Sequence, residues 1–210
     1  MNKAEMISPE NALPGGRTPV LTMPFFHRVT GDRLDRPFPG AETIYLAMGC
    51  FWGAEKLFWN TNGVLQTAVG YMGGLTPNPT YREVCTGRTG HAETVRVTYD
   101  PDQVSTEAIL TVFLENHDPT QGMRQGNDVG TQYRSAIWCT TTAQCMAATT
   151  AKGSFQANLL NAGYGAITTV ISMANGVEFY LAEAEHQQYL EDNPDGYCPV
   201  HATGVCLANS

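Results

Sequence analysis

The sequence has no apolar run long enough to cross a bilayer and no cluster of lysine or arginine. The first absence removes any expectation of a membrane-spanning helix. The second, with a formal net charge of -8, argues against nucleic acid or an anionic membrane as partner, because both would be repelled on average. Residues 1–13 lack the apolar core of a secretory signal, so a cytoplasmic protein is expected. Repeats and low-complexity tracts are missing too. What is present is 42% hydrophobic and 15% charged residues in 210, the profile of an ordered chain able to bury one sizeable core.

Residues 2–40 are rich in Pro and Gly and show no sustained period, which predicts an irregular extension (1–40). A catalytic domain is expected over 41–192 and a tail over 193–210. Within the domain, 43–48 reads as a buried strand, 51–60 as a helix, 64–71 as a strand and 73–79 as a loop. Alternation at Val95, Val97 and Tyr99 marks a half-buried strand over 92–99. Ser105 or Thr106 then caps a helix to about 116, and a glycine-bearing loop leads to a strand at 133–139. This order predicts an α+β two-layer sandwich with a ferredoxin-like βαββαβ core. A helix over 142–161, a strand over 167–172 and a short helix over 183–190 follow. The segment 140–153, rich in Thr and carrying Gly153, reads as a poor helix.

Cys50 stands between the first strand and the first helix, flanked by Gly49 and Gly53. Unpaired N–H groups at a helix start favour the thiolate, the reactive form of cysteine, and predict a lowered pKa. The plain alternative is a small buried thiol. Phe51 and Trp52 tip the balance, because an aromatic pocket suits a small apolar group, and ring faces stabilise positive charge developing on a neighbouring atom. Glu93 opens a strand among apolar neighbours; buried there, it would hold a proton near neutral pH and serve as an acid. Asp128 and Tyr133, in a loop dense in hydrogen-bonding residues, can orient a water or an oxyanion, and Tyr81 offers a second phenol. Turn capping or rim packing accounts for each of these three equally well when taken alone.

Of the 6 cysteines, Cys85, Cys139 and Cys145 read as ordinary free thiols. Cys198 and Cys206 lie beyond the last expected helix, where two thiols can relay a disulfide. A zinc site from Cys198, His201, Cys206 and His186 is the rival reading of the tail, with a spacing unlike common zinc motifs. A cysteine hydrolase, with Cys50 activated by His91, His117 or His186, is the rival enzyme class.

From about residue 44 to 206 the chain resembles the A-type peptide methionine sulfoxide reductases. The resemblance rests on the segments 49–53, 87–93, 115–119, 125–135 and 186–189 and on the two tail cysteines, all in order. It implies reduction of methionine-(S)-sulfoxide, in proteins and as the free amino acid, a reversal of methionine oxidation. By the same resemblance Cys50 attacks sulfur, Glu93 protonates the oxygen with help from Tyr81 and Tyr133, and Asp128 orients a water. Phe51 and Trp52 hold the methyl group. A Cys50–Cys198 disulfide then passes to Cys198–Cys206 and is reduced by thioredoxin, or by dithiothreitol in vitro. No metal or organic cofactor is implied, and a monomer is expected. The tail departs from the family in having Pro199, Val200, His201, Ala202 and Thr203 where glycines are usual, which predicts a stiffer relay.

Overall fold

The computed structural model describes residues 3–197 and 202–207. A six-stranded sheet carries the fold. Its strands are β1 (Glu42–Met48), β2 (Val64–Met72), β3 (Ala92–Tyr99), β6 (Ser135–Cys139), β7 (Val170–Met173) and β8 (Phe179–Leu181). Across the sheet they run β7-β6-β1-β3-β2-β8. A separate two-stranded ribbon pairs β4 (Arg124–Gln125) with β5 (Asp128–Val129). The helices are α1 (Phe51–Trp59), α2 (Tyr81–Val84), α3 (Thr106–Glu115), α4 (Thr142–Asn161) and α5 (Tyr189–Asp192).

β1 is antiparallel to both β3 and β6, and β3 is antiparallel to β2. Each βαβ unit therefore skips one place in the sheet, and a strand of the other unit fills the gap. The main core lies between this sheet and α1, α3 and α4, which share one face of it. That is the two-layer α+β arrangement the pattern predicted. In α3 the buried set is Ile109, Leu110, Phe113 and Leu114, a single helical stripe. Along β3, Glu93, Val95, Val97 and Tyr99 share a face by the two-residue period, and Val95, Val97 and Tyr99 belong to the main core. Glu93 is thus a carboxylate on the apolar side of a strand.

Several expectations need correction. The strand expected at 167–172 is observed as Val170–Met173, and the one at 133–139 begins at Ser135 after a 3-10 turn at Thr131–Tyr133. The helix expected over 183–190 is a series of turns closing in α5. α4 is continuous through Gly153, which faces outward with nothing packed over it. Its hold comes from a capping box between Thr141 and Gln144 and from a buried row of Ala148, Ala151, Phe155 and Leu159, which offsets the weak Thr-rich propensity.

Candidate active site

β1 ends at Met48, and Gly49 turns the chain at φ 102° so that Cys50 becomes the N-cap residue of α1. A side chain at Gly49 would strike Gln125, whose Cγ lies 2.7 Å from the position of a Cβ, so both conformation and space demand glycine. Cys50 is partly exposed and not in a disulfide. The expected lowering of its pKa is not what the surroundings produce. Burial and the neighbouring Glu93 charge push the thiol well above its ordinary value, and the N–H groups of Trp52 and Gly53 offset this only in part. Two backbone dipoles at a short helix do not outweigh desolvation, so Cys50 rests as a thiol. Its Coulombic handicap disappears whenever Glu93 is neutral.

Glu93 is 2% exposed. Its Oε2 accepts a hydrogen bond of 3.0 Å from the N–H of Phe51, the residue after Cys50, while Oε1 is buried with no hydrogen-bond partner. Burial raises its pKa to about 8, against the Phe51 N–H, which lowers it. The carboxyl therefore carries a proton at neutral pH, beside the thiol. Burial first, then the Glu93 charge, raise the pKa values of Tyr81 and Tyr133, which keeps both phenols as donors. Tyr81 and Cys85 are close enough for each to shift the pKa of the other. Asp128 is close enough for its charge to act on Cys50, Glu93 and Tyr133. The structure thus gathers Cys50, Glu93, Tyr81, Tyr133 and Asp128 into one group.

The aromatic wall is firmly built. Phe51 is 1% exposed, and burying a ring of this size is worth about 2–3 kcal/mol, so it serves core and pocket together. Trp52 stacks on Tyr189 with ring centroids 4.1 Å apart and donates through Nε1 to His186 Nδ1 at 3.3 Å. Residues without an assigned role in the sequence hold this wall. Glu183 accepts from the Tyr71 hydroxyl at 2.8 Å and from the Tyr81 N–H at 2.7 Å. Glu55, fully buried with its pKa raised by desolvation to about 7, accepts from the Gln188 N–H at 2.8 Å and from its side-chain amide at 2.6 Å. Tyr197, on the tail, donates to Asp128 at 3.1 Å. The signal for Glu55 was its place four residues after Phe51 and three before Phe58, on the buried stripe of α1; for the others the sequence carried only membership in a segment.

Nothing in this group suits the hydrolase reading. Among the described residues no hydrogen bond joins a histidine to Cys50. His117 is buried between the Phe113 carbonyl (2.7 Å) and Ser135 Oγ (2.8 Å), and burial lowers its pKa to about 4. His91 bonds the Thr76 carbonyl at 2.7 Å and is likewise held at about 4. A cavity of about 560 Å³ opens elsewhere, lined by Arg134, Trp138 and Tyr180 among others, and includes none of the residues gathered around Cys50.

Cys206 is exposed and lies apart from this group. Its carbonyl accepts from Asn158 of α4 at 3.0 Å, and the next residue's N–H reaches Glu115 of α3 at 2.6 Å. Cys198 and His201 lie outside the described residues. Among the described residues no cluster of three or more His, Cys, Asp or Glu side chains could hold a metal ion.

What such a corner can do is attack an electrophilic, weakly polar atom with sulfur while handing a proton to an oxygen on it. A family model described as peptide methionine sulfoxide reductase matches residues 42–206. The peptide methionine sulfoxide reductase MsrA of Corynebacterium kroppenstedtii is 58% identical over 95% of this chain and 93% of its own length. Among solved structures, methionine sulfoxide reductase A of Corynebacterium diphtheriae superposes with a TM-score of 0.87 at 51% identity, covering 98% of this chain and 99% of that one. Reduced Mxr1 of Saccharomyces cerevisiae gives 0.70 at 33% identity over 83% and 96%, and Mxr1 has also been solved in complex with Trx2.

Proposed function

The chain belongs to the peptide methionine sulfoxide reductase family and is a peptide-methionine (S)-S-oxide reductase, and we propose that Cys50 and Glu93 carry its chemistry. The observation that supports this most is the Glu93 carboxyl. It is anchored by one oxygen to the backbone next to Cys50, keeps its other oxygen buried and unpaired, and is protonated at neutral pH. An S=O group placed there would receive that free hydrogen-bonding capacity.

In the proposed reaction the Cys50 sulfur attacks the sulfoxide sulfur, with Phe51 and Trp52 around the S-methyl group. Glu93 protonates the sulfoxide oxygen, assisted by Tyr81 and Tyr133, and Asp128 holds a water. The S–O bond breaks and the protonated oxygen leaves as water. The water at Asp128 then attacks the Cys50 sulfur, methionine leaves with the S–S bonding pair, Glu93 regains a proton, and Cys50 ends as a sulfenic acid. Cys198 condenses with it and water departs. Cys206 then displaces Cys50 from Cys198 by thiol–disulfide exchange. The balance closes with thiols alone and calls for no cofactor. Its catalytic part is residues 41–192, its recycling tail 193–210.

Thioredoxin is the proposed reductant, supported by the Mxr1–Trx2 complex and by the exposure of Cys206. We infer a cytoplasmic monomer acting on oxidised proteins and on free methionine sulfoxide; among the described residues no helix is long and apolar enough to cross a membrane. The test of the acid is the single-turnover pH profile. Wild type should lose rate as pH rises through about 8, where Glu93 gives up its proton. Glu93→Gln should be slower and lack that limb; a limb unchanged in Glu93→Gln would refute the assignment.

A further inference from the structure

Away from the catalytic corner, three sulfur atoms from three elements meet at the other end of the sheet. Cys139 closes β6 and pairs in parallel register with Met173 on β7. Residues paired this way point to the same face, here the face on which α4 packs. Cys145, in the second turn of α4, comes down onto that face. Its Sγ lies 3.6 Å from Met173 Sδ, and its thiol is near enough to Cys139 for the two to act on each other electrostatically. The three are graded in access, since Cys139 is fully buried, Cys145 partly so and Met173 40% exposed.

We propose that Cys139, Cys145 and Met173 form a binding site for a soft monovalent metal ion, copper(I). The donor set is all sulfur, two thiols and one thioether, and this selects soft copper(I) over ions that prefer nitrogen or oxygen. Metal–sulfur bonds of about 2.3 Å place neighbouring ligand sulfurs about 3.6–4.0 Å apart, so the Cys145–Met173 separation already fits one shared ion. Binding displaces both thiol protons, giving two thiolates, one thioether and a complex of net charge -1. The N-terminal end of α4, twenty residues long, stabilises that charge. Met173 at the surface provides the point of entry, and Cys139 anchors the ion within the core.

The site is separate from the reductase centre. Cys139 pairs with Ile44, whereas Met48, two residues before Cys50, pairs with Ser135. The strand from Ile44 to Met48 alone spans about 14 Å, with Cys50 two residues further on, and occupancy of one centre does not require the other.

The experiment uses the full chain with Cys50, Cys85, Cys198 and Cys206 replaced by Ser, leaving Cys139 and Cys145 as the thiols. Copper(I), supplied anaerobically, is competed against bicinchoninate, and bound metal is examined by X-ray absorption. One ion per chain with three sulfur ligands is expected. Met173→Leu should reduce the ligand count to two and weaken binding at least tenfold, and Cys145→Ser should weaken it at least a hundredfold. Circular dichroism confirms that both variants fold; neither change creates a void in the deep core. Failure to hold copper against the chelator, two-sulfur coordination in the parent chain, or equal affinity in Met173→Leu would each overturn the proposal.

Discussion

In the proposed reaction the catalytic corner and the C-terminal tail carry two halves on different foundations. Around Cys50 the groups are buried, paired and backed by rigid elements: Glu93 to the Phe51 N–H, Trp52 to His186, Tyr81 to Glu183. The described tail is tied by hydrogen bonds, Tyr197 to Asp128 at one end and Thr203, Cys206 and Leu207 to Tyr164, Asn158 and Glu115 at the other, with Val205 and Leu207 resting on the core from outside. Reduction needs fixed geometry because a proton and a nucleophile must meet one small group. Regeneration needs thiols that can change partners. The reducing half sits where regular elements converge, and the half proposed to exchange partners sits after them.

The largest effect that sharpens this contrast is at the nucleophile. Cys50→Ser should lose at least a thousandfold in single turnover, because an alcohol cannot replace the thiol in attack on sulfur. Next comes the acid: Glu93→Ala should cost about 100-fold or more in single-turnover rate, and Glu93→Gln clearly less, because the amide still donates a hydrogen bond. Equal losses would deny Glu93 its role as donor. Cys198→Ser should break the two halves apart, releasing about one methionine per enzyme at near-normal rate and then stalling with thioredoxin. Sustained thioredoxin-driven turnover by that variant would mean the tail is not the relay.

Asn158→Ala addresses the tail ties and should leave the single-turnover rate within about twofold, shifting only steady-state turnover. The last effect is read on stability rather than on rate. Glu93 and Glu55 have folded-state pKa values raised to about 8 and about 7 from an ordinary 4.5. Between those limits the folded chain holds protons that the unfolded chain has released. Their stabilisation is complete below about 4.5 and is lost as pH climbs through 7 and 8, at up to ~1.4 kcal/mol per pH unit for each group. Urea midpoints between pH 5 and 9 should fall accordingly, with a shallower decline in Glu93→Gln.

Much of this was legible in the residues. Alternation located β3 through Val95, Val97 and Tyr99, and the structure adds Glu93 to the same side. The glycine corner located Cys50. α2 was announced by Thr80 and Glu83, a capping-box spacing that the surrounding Pro and Gly obscured. β8 and the β4–β5 ribbon were not legible, because three or two residues are too few to show a period. The pKa of Cys50 was misjudged for a related reason. The helix start is written locally, but the burial and the carboxylate that outweigh it arrive from β3, 43 residues later in the chain.

The most direct test of the central claim is single-turnover reduction of a peptide carrying each epimer of methionine sulfoxide, with wild type and Cys50→Ser side by side. The account predicts that the reduced wild type consumes the S epimer alone and that Cys50→Ser consumes neither. Reduction of the S epimer by Cys50→Ser at the wild-type rate would contradict it.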